Sequence, residues 1–362
     1  MAILVIKIGS STLTTKQGQL DVTNLTRLVS ETAEIIKAGH KAILVTSGAI
    51  VSGCEALKLK EKPTSIPEKQ AAAAVGQSRL MRQYEKAFEI YGISVAQILL
   101  TRDAIADRER YLNARNCLST LLEEGVVPVV NENDTVAVEE LKVGDNDTLS
   151  ALVASLIGAE ALVLLTDVDG FYMESDEGVA YKAEVVEEIT KEVEGFAGHA
   201  GTQMGTGGMV TKLQAAKIAT DAGIPVYIAH GRTVNVIKKI ANGEKVGTLF
   251  KAKDKKPESR KRWLAHGLSV KGSVTVDAGA VKALSSGSSL LPAGVKSISG
   301  KFKIGEAIRI FNPSGKEIGR GLTNFGSDEI EKIKGKKSSE INTCLGFEAS
   351  TELIHRDNLV ML

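Results

Sequence analysis

Lys7 stands alone in an apolar run, Ala2-Ile3-Leu4-Val5-Ile6-Lys7-Ile8, close to the run's carboxyl end. An unpaired ammonium buried there is costly, so it either snorkels out at a strand end or meets an anion. A second lysine, Lys212, closes Gly205-Thr206-Gly207-Gly208-Met209-Val210-Thr211-Lys212, a glycine-rich loop that runs into a helix. Backbone N–H groups at such a helix start form an anion pocket, whereas a cation in the first turn opposes the helix dipole by about 0.3–1 kcal/mol. A lysine placed against that preference points to a bound phosphate; a plain surface turn is the other reading. The segment is not a GxxxxGK[ST] loop, and no GxGxxG follows the first strand.

The third group lies between Asn131 and Ser150 (NENDTVAVEELKVGDNDTLS), after the compact apolar run Val126-Val127-Pro128-Val129-Val130. Asn131, Asn133 and Asp134 form one polar knot and Asp145, Asn146 and Asp147 another. Such residues are turn formers and helix caps, which allows a reading as two loops. They also sit just past a probable parallel strand, where open α/β sheets bind ligands. Their amides and carboxylates could hold the ammonium and carboxylate of a small amino acid. Thr166-Asp167 and Asp169-Gly170 end another apolar run, with a common Asp-Gly turn as the competing explanation. Ser47-Gly48 occupies a strand-to-helix turn and could donate to a carboxylate or phosphate; without a positioned histidine it does not read as a nucleophile.

The elements that must carry these residues alternate between strand and helix. Strands are expected at Ala2–Ile8, Ala42–Val45, Ile93–Leu100, Val126–Val130, Ala161–Leu165 and Pro225–Ala229. Helices are expected after Val22 up to Gly39, from Thr46-Ser47-Gly48-Ala49, and over Glu68–Tyr91, Leu112–Glu124, Thr148–Ile157, Met209–Ala222 and Thr233–Ala241. Gly9 to Thr12 reads as a small-residue turn, and Phe171 to Gly201 as less regular. This order predicts an α/β fold, a three-layer αβα sandwich with a mainly parallel central sheet over residues 1–250. Residues 251–269 begin with seven basic residues against two acidic in KAKDKKPESRKR, the texture of a solvated linker. Residues 270–350 carry short alternating runs separated by turns such as Asn312-Pro313-Ser314-Gly315, which predicts a small β-rich, barrel-like domain. Residues 351–362 are left as a C-terminal tail.

A net charge of +1 gives no global basic field of the kind that drives nucleic-acid binding. Three scattered cysteines without CxxC spacing indicate neither a disulfide framework nor a zinc site, and five distant histidines show no ligand spacing. No apolar stretch approaches the ~20 residues that a membrane helix needs, and no signal-peptide pattern opens the chain. A cytoplasmic protein is expected.

With Lys7, Thr46 to Ala49, Asn131 to Asp134, Gly144 to Asp147, Thr166-Asp167 and Gly205 to Lys212 in line, residues 1 to about 250 resemble the amino-acid kinase family. Residues 270–350 resemble a PUA domain, through Asp277 to Ala280, Gly287 to Pro292, Gly294-Val295, Gly300 to Phe302 and Gly305-Glu306. The two together in one chain imply transfer of the γ-phosphoryl of ATP, carried with Mg²⁺, to the side-chain carboxylate of L-glutamate, the first step of proline biosynthesis. The resemblance gives Lys7 and Lys212 to the phosphates and Asp145 to orienting those two lysines. It gives Ser47, Asp134, Asn146 and Asn131 to glutamate. Lys7, Thr166, Asp167 and the segment Thr206, Gly207, Gly208, Met209, Val210, Thr211 and Lys212 line the ATP site. It further implies proline as inhibitor, a glutamate semialdehyde-forming reductase as acceptor of the labile product, and a homo-oligomer, dimer or tetramer.

Two other readings compete. Another carboxylate or phosphate kinase of the same fold, such as an aspartate kinase, would share most of these residues. PUA domains also occur in RNA-modifying enzymes, but Phe302, Phe311, Phe325 and Phe347 sit in strand-like alternation and read as core rather than as stacking platforms. A regulatory or oligomerising role for that domain is favoured over RNA.

Overall fold

In the computed structural model the first apolar run becomes β1 (Ile3–Ile8), the strand on which the first unit is built. The structure describes residues 2–59, 61–101, 105, 108–136, 146–175, 178–197, 208–253, 270–347 and 349–362. Two compact units divide the chain, Met1–Lys256 and Pro257–Leu362. Along the first unit β1 is followed by α1 (Ser10–Leu13), α2 (Val22–Lys37), β2 (Lys41–Val45), α3 (Ala49–Ala56), α4 (Ile66–Glu89), β3 (Val95–Leu100), α5 (Arg108–Glu123) and β4 (Val127–Glu132). Then come α6 (Asn146–Ile157), β5 (Ala161–Thr166), β6 (Phe171–Glu174), β7 (Ala180–Ala183), β8 (Val185–Val186), α7 (Lys191–Phe196), α8 (Met209–Asp221), β9 (Val226–His230), α9 (Val236–Ala241) and β10 (Thr248–Phe250).

Eight strands form one sheet in the order β3-β4-β2-β1-β5-β9-β10-β8. All neighbours run parallel except β9 and β10. Strands buried on both faces need apolar residues at every position, and β1 and β5 have them apart from Lys7 and Thr166. Alternation along β1 puts Leu4, Ile6 and Ile8 into one core with residues of α1, α2, α3, α4 and α9. Val5 and Lys7 therefore face the opposite layer, where α6 packs against β1, β5, β2 and β4, and α5 and α8 pack on α6. Every residue of α6 from Asn146 to Leu156 is buried, so this helix has no solvent face. The expected three layers are present.

From β1 the chain first builds β2, β3 and β4 on one side and then β5 and β9 on the other. That reversal makes a crevice at the carboxyl ends of β1, β2 and β5, the place where open α/β sheets take ligands. Register sets Lys7 opposite Val45 on one neighbour and Leu164 on the other. The lysine is thus level with the last residue of β2, two positions before Ser47.

Three expectations change. Residues 10–13, expected as a turn, close into the short helix α1. The stretch after Phe171, expected to be less regular, contains the antiparallel pair β6–β7, strand β8 and helix α7, the last capped by Thr190. Residues 351–362 are not a tail: β15 (Leu359–Met361) pairs with β14 (Glu317–Leu322) as the edge of the second unit's sheet, because Leu359 and Val360 are apolar and buried there. That sheet runs β12-β11-β13-β14-β15, where β11 is Val270–Val276, β12 Val295–Ser299 and β13 Ala307–Phe311. Its core takes in Val274, Ile308, Ile310, Phe302 and Phe325, whereas Phe347 is exposed. Most of the linker, residues 254–269, lies outside the described residues. Among the described residues no helix is long and apolar enough to cross a membrane.

Helices α3 and α4 touch backbone to backbone. A Cβ on Gly76 would collide with the carbonyl oxygen of Ala49, and one on Gly53 with that of Ala72. Only glycine permits this approach, and α3 begins directly after Ser47-Gly48. Gly48 itself has φ 104°, a left-handed value that turns the chain from β2 into α3. Gly76→Ala is therefore expected to destabilise the first unit by about 1–3 kcal/mol, as overpacking does, and to lower its melting temperature. Gly195→Ala, in a helix with open space around the added carbon, should leave the melting temperature unchanged or raise it; equal effects of the two would contradict the packing account.

Candidate active site

Asp147, at the second position of α6, lies between the two lysines singled out by the sequence. Lys7 Nζ is 2.7 Å from its Oδ1 and Lys212 Nζ 3.3 Å from its Oδ2. The Thr211 hydroxyl donates to Oδ2 at 2.9 Å. All three charged side chains are buried, Asp147 to 2 % exposure. The arrangement follows from three elements: β1 delivers Lys7 on the face opposite the main core, α6 presents Asp147 from its first turn, and α8 brings Thr211 and Lys212 from its own first turn. Burial alone would push the Asp147 carboxyl up, but the Lys7 and Lys212 ammonium groups, with the Thr211 hydroxyl, outweigh it and hold it down at about 2.

A carboxyl group with a depressed folded-state pKa contributes stability above its unfolded value and loses it as pH falls through the folded one. Asp147 thus keeps its charge across the neutral range, which makes it a fixed counter-ion and not a proton acceptor. Among the described residues two ammonium groups face this one carboxylate, in a crevice that would suit a polyanion. Asp145, expected as the orienting carboxylate, lies outside the described residues; among the described residues Asp147 lies between the lysines. The sequence carries a signal for Asp147. Asp147 is followed by Thr148-Leu149-Ser150-Ala151-Leu152-Val153, a helix with no solvent face, so its carboxylate has to be paired inside.

Asn146, one residue earlier on α6, turns the other way. Its Nδ2 donates to Ser47 Oγ at 3.1 Å and to Asn131 Oδ1 at 3.2 Å. Asn131, at the end of β4, accepts the Glu132 backbone N–H at 2.9 Å and donates from Nδ2 to Gln77 Oε1 of α4 at 2.8 Å. Three of the four residues expected to hold an amino acid are therefore joined by hydrogen bonds. The fourth, Asp134, lines an adjoining cavity of about 280 Å³ together with Gln77, Gln97, Glu132 and Thr135. Burial, with the Glu132 charge beside it, pushes its carboxyl up to about 6.

Thr166 ends β5 beside Lys7's strand; its hydroxyl donates to Asp167 Oδ1 at 3.0 Å, and its carbonyl accepts the Gly231 N–H. Of the glycine-rich segment, Thr206 and Gly207 lie outside the described residues. Gly208 is the N-cap of α8, Met209 is half-buried and Val210 exposed. Sequence reasoning gave no role to Thr211 as a partner of Asp147, to Gln77, or to Tyr84, whose buried hydroxyl lies 2.7 Å from Thr46 Oγ1. Only the helical spacing of Gln77 and Tyr84 within α4 could have put them near β2 and β4. Among the described residues no group of three or more histidine, cysteine, aspartate or glutamate side chains could hold a metal ion.

A sequence model of the amino acid kinase family matches residues 2–230, and one of the PUA domain matches residues 272–345. The glutamate 5-kinase of Moorella thermoacetica is 52% identical over 99% of this chain and 96% of its own. That of Thermoanaerobacter pseudethanolicus is 50% identical over 99% of this chain and 97% of its own. Among solved structures, the carbamate kinase from Giardia lamblia bound to AMP-PNP covers 70% of this chain and 99% of its own with a TM-score of 0.51 at 19% identity, a likeness of fold. The lysine-flanked carboxylate stands on a sheet of that fold, and the relatives match along 99% of the chain: the chain belongs to the amino acid kinase family, with a PUA domain following the kinase part.

Proposed function

We propose that this chain transfers the γ-phosphoryl group of ATP to the side-chain carboxylate of L-glutamate, giving L-glutamyl 5-phosphate and ADP, the first step of proline biosynthesis. The observation that carries this reading is the pair Lys7 and Lys212 closed on Asp147 at the carboxyl end of the central strands. Identity near 50% to full-length glutamate 5-kinases supports glutamate over the acceptors used elsewhere in the family.

The acceptor carboxylate is ionised at neutral pH, so no base is needed to make the nucleophile. What remains is to bring two anions together in line and to neutralise charge on the transferring oxygens. Lys7 and Lys212 do the second task, and Asp147 keeps both ammonium groups aimed at the same place. The helix start at Gly208 and the Thr166-Asp167 strand end line the ATP site. Mg²⁺ would come as the counter-ion of ATP and would neutralise part of the phosphate charge. Ser47, Asn131 and Asn146 hold the amino acid, and Asp134 takes its ammonium group. Proline inhibits at or beside the glutamate pocket, the labile acyl phosphate passes to the reductase that follows, and the enzyme works in the cytoplasm as a homo-oligomer. The PUA domain regulates or assembles the kinase.

Measured as ADP formation across glutamate, aspartate, acetylglutamate and UMP, activity should be confined to glutamate; turnover of aspartate instead would make the chain a different carboxylate kinase. Lys7→Ala and Lys212→Ala should fold and yet lose about 100-fold or more in kcat, the scale of removing a preorganised charge stabiliser; near-normal turnover in either would defeat the two-lysine mechanism. Asp134 gives a pH signature. As pH falls through about 6 its carboxylate is protonated and loses its attraction for an ammonium group, so KM for glutamate should climb steeply below that pH. Asp134→Asn should raise this KM at neutral pH and flatten its dependence on pH, and an unchanged profile would remove Asp134 from the pocket.

A further inference from the structure

Resting on the reading of Ser47, Asn131 and Asn146 as the amino-acid pocket, we infer that Gln77 of α4 is a positioning residue for the substrate: its side-chain oxygen completes a relay of amides that sets which atoms of the pocket donate and which accept. The relay is anchored in the backbone. The Glu132 N–H can only donate, and it points at Asn131 Oδ1 at 2.9 Å. The Asn131 amide must then direct its Nδ2 the other way, where Gln77 Oε1 accepts it at 2.8 Å. Asn131 is 2 % exposed, so a missing acceptor there would leave a buried donor without a partner. Gln77 is in turn oriented by its own Nε2, which donates to Gln97 Oε1 on β3 at 3.3 Å.

The same polarity runs on toward the substrate. With Oδ1 as its inner atom, Asn131 accepts Asn146 Nδ2 at 3.2 Å, and the other proton of that amide goes to Ser47 Oγ at 3.1 Å. Both donors of Asn146 are then used, and its Oδ1 is left buried with no hydrogen-bond partner among the described residues. A buried, unpartnered carbonyl is an acceptor waiting for a donor, which suits an ammonium group. Ser47 accepts from Asn146, so its hydroxyl proton is free to donate to a carboxylate. The pocket therefore offers one acceptor and one donor side by side, the complement of an α-amino acid. Reversing Asn131 would reverse Asn146 and set an N–H against the ammonium.

Gln77→Met keeps the length of the side chain and removes the acceptor; Gln77→Glu keeps an acceptor oxygen. The methionine variant should raise KM for glutamate about ten-fold, the scale of one buried hydrogen bond, with KM for ATP and kcat within about two- to three-fold of the parent, because the loss lies in ground-state binding. The glutamate variant should restore KM for glutamate to within about three-fold. An unchanged KM in Gln77→Met, equal impairment in both variants, or a parallel rise in KM for ATP would overturn the inference. Selective ¹⁵N-asparagine labelling separates the relay from the activity. In the substrate-free protein the Asn131 side-chain N–H₂ should exchange slowly, lose that protection in Gln77→Met and keep it in Gln77→Glu, whatever the chain phosphorylates. Loss of glutamate turnover in the parent chain would sink the proposed function alone; unchanged exchange in Gln77→Met would sink the relay alone.

Discussion

One buried carboxylate between two buried ammonium groups is the constraint that the rest of the first unit serves. Moving three charges out of water costs several kcal/mol per ion before any attraction is counted, and such clusters are often no better for stability than apolar side chains of the same size. The Lys7–Asp147–Lys212 arrangement is therefore poorly explained as a device for folding. It is well explained as a preformed field, because it holds two ammonium groups in a crevice, already oriented before any anion arrives. The position of β1 at the middle of the sheet, the burial of α6 on all sides and the first turn of α8 are what hold the three groups together.

The helix α6 divides its work between adjacent residues. Successive positions on a helix point about 100° apart, so Asn146 and Asp147 face different partners from the same turn. Asp147 faces the lysines and Asn146 faces Ser47 and Asn131. A rotation or slip of α6 would disturb the charge cluster and the amide cluster together. This links the charge cluster and the amide cluster of the crevice through one rigid element, and it explains why an apolar helix is buried beneath the central strands instead of lying at the surface. On the opposite face the close approach of α3 and α4 at Gly53 and Gly76 fixes the turn that carries Ser47.

Much of this was legible in the residues. Strands buried on both faces read as unbroken apolar runs, and the isolated Lys7 marked the site by the cost of its burial. The two polar knots at the end of β4 and the start of α6 marked the crevice. What could not be read was that Asp147 meets the lysines, because that depends on the residue at which α6 starts, and helix boundaries are not resolved to one position by composition. Gln77 and Tyr84 were hidden for a different reason. They sit in a long helix whose sequence shows only its apolar stripe, and their partners, Asn131 on β4 and Thr46 just after β2, are distant in the chain. The tail that became β15 was misread because three residues are too short to show an alternation.

The central claim is that both ammonium groups converge on one triphosphate while Asp147 holds them from behind. A crystal structure with a non-hydrolysable ATP analogue, Mg²⁺ and glutamate measures this directly. Both Nζ atoms are expected within about 3 Å of oxygens on the β- or γ-phosphate, the usual reach of a charge-assisted hydrogen bond, with Asp147 still between them. A structure in which either lysine points away from the phosphates, or in which Asp147 leaves the lysines to bind the metal, would contradict the account.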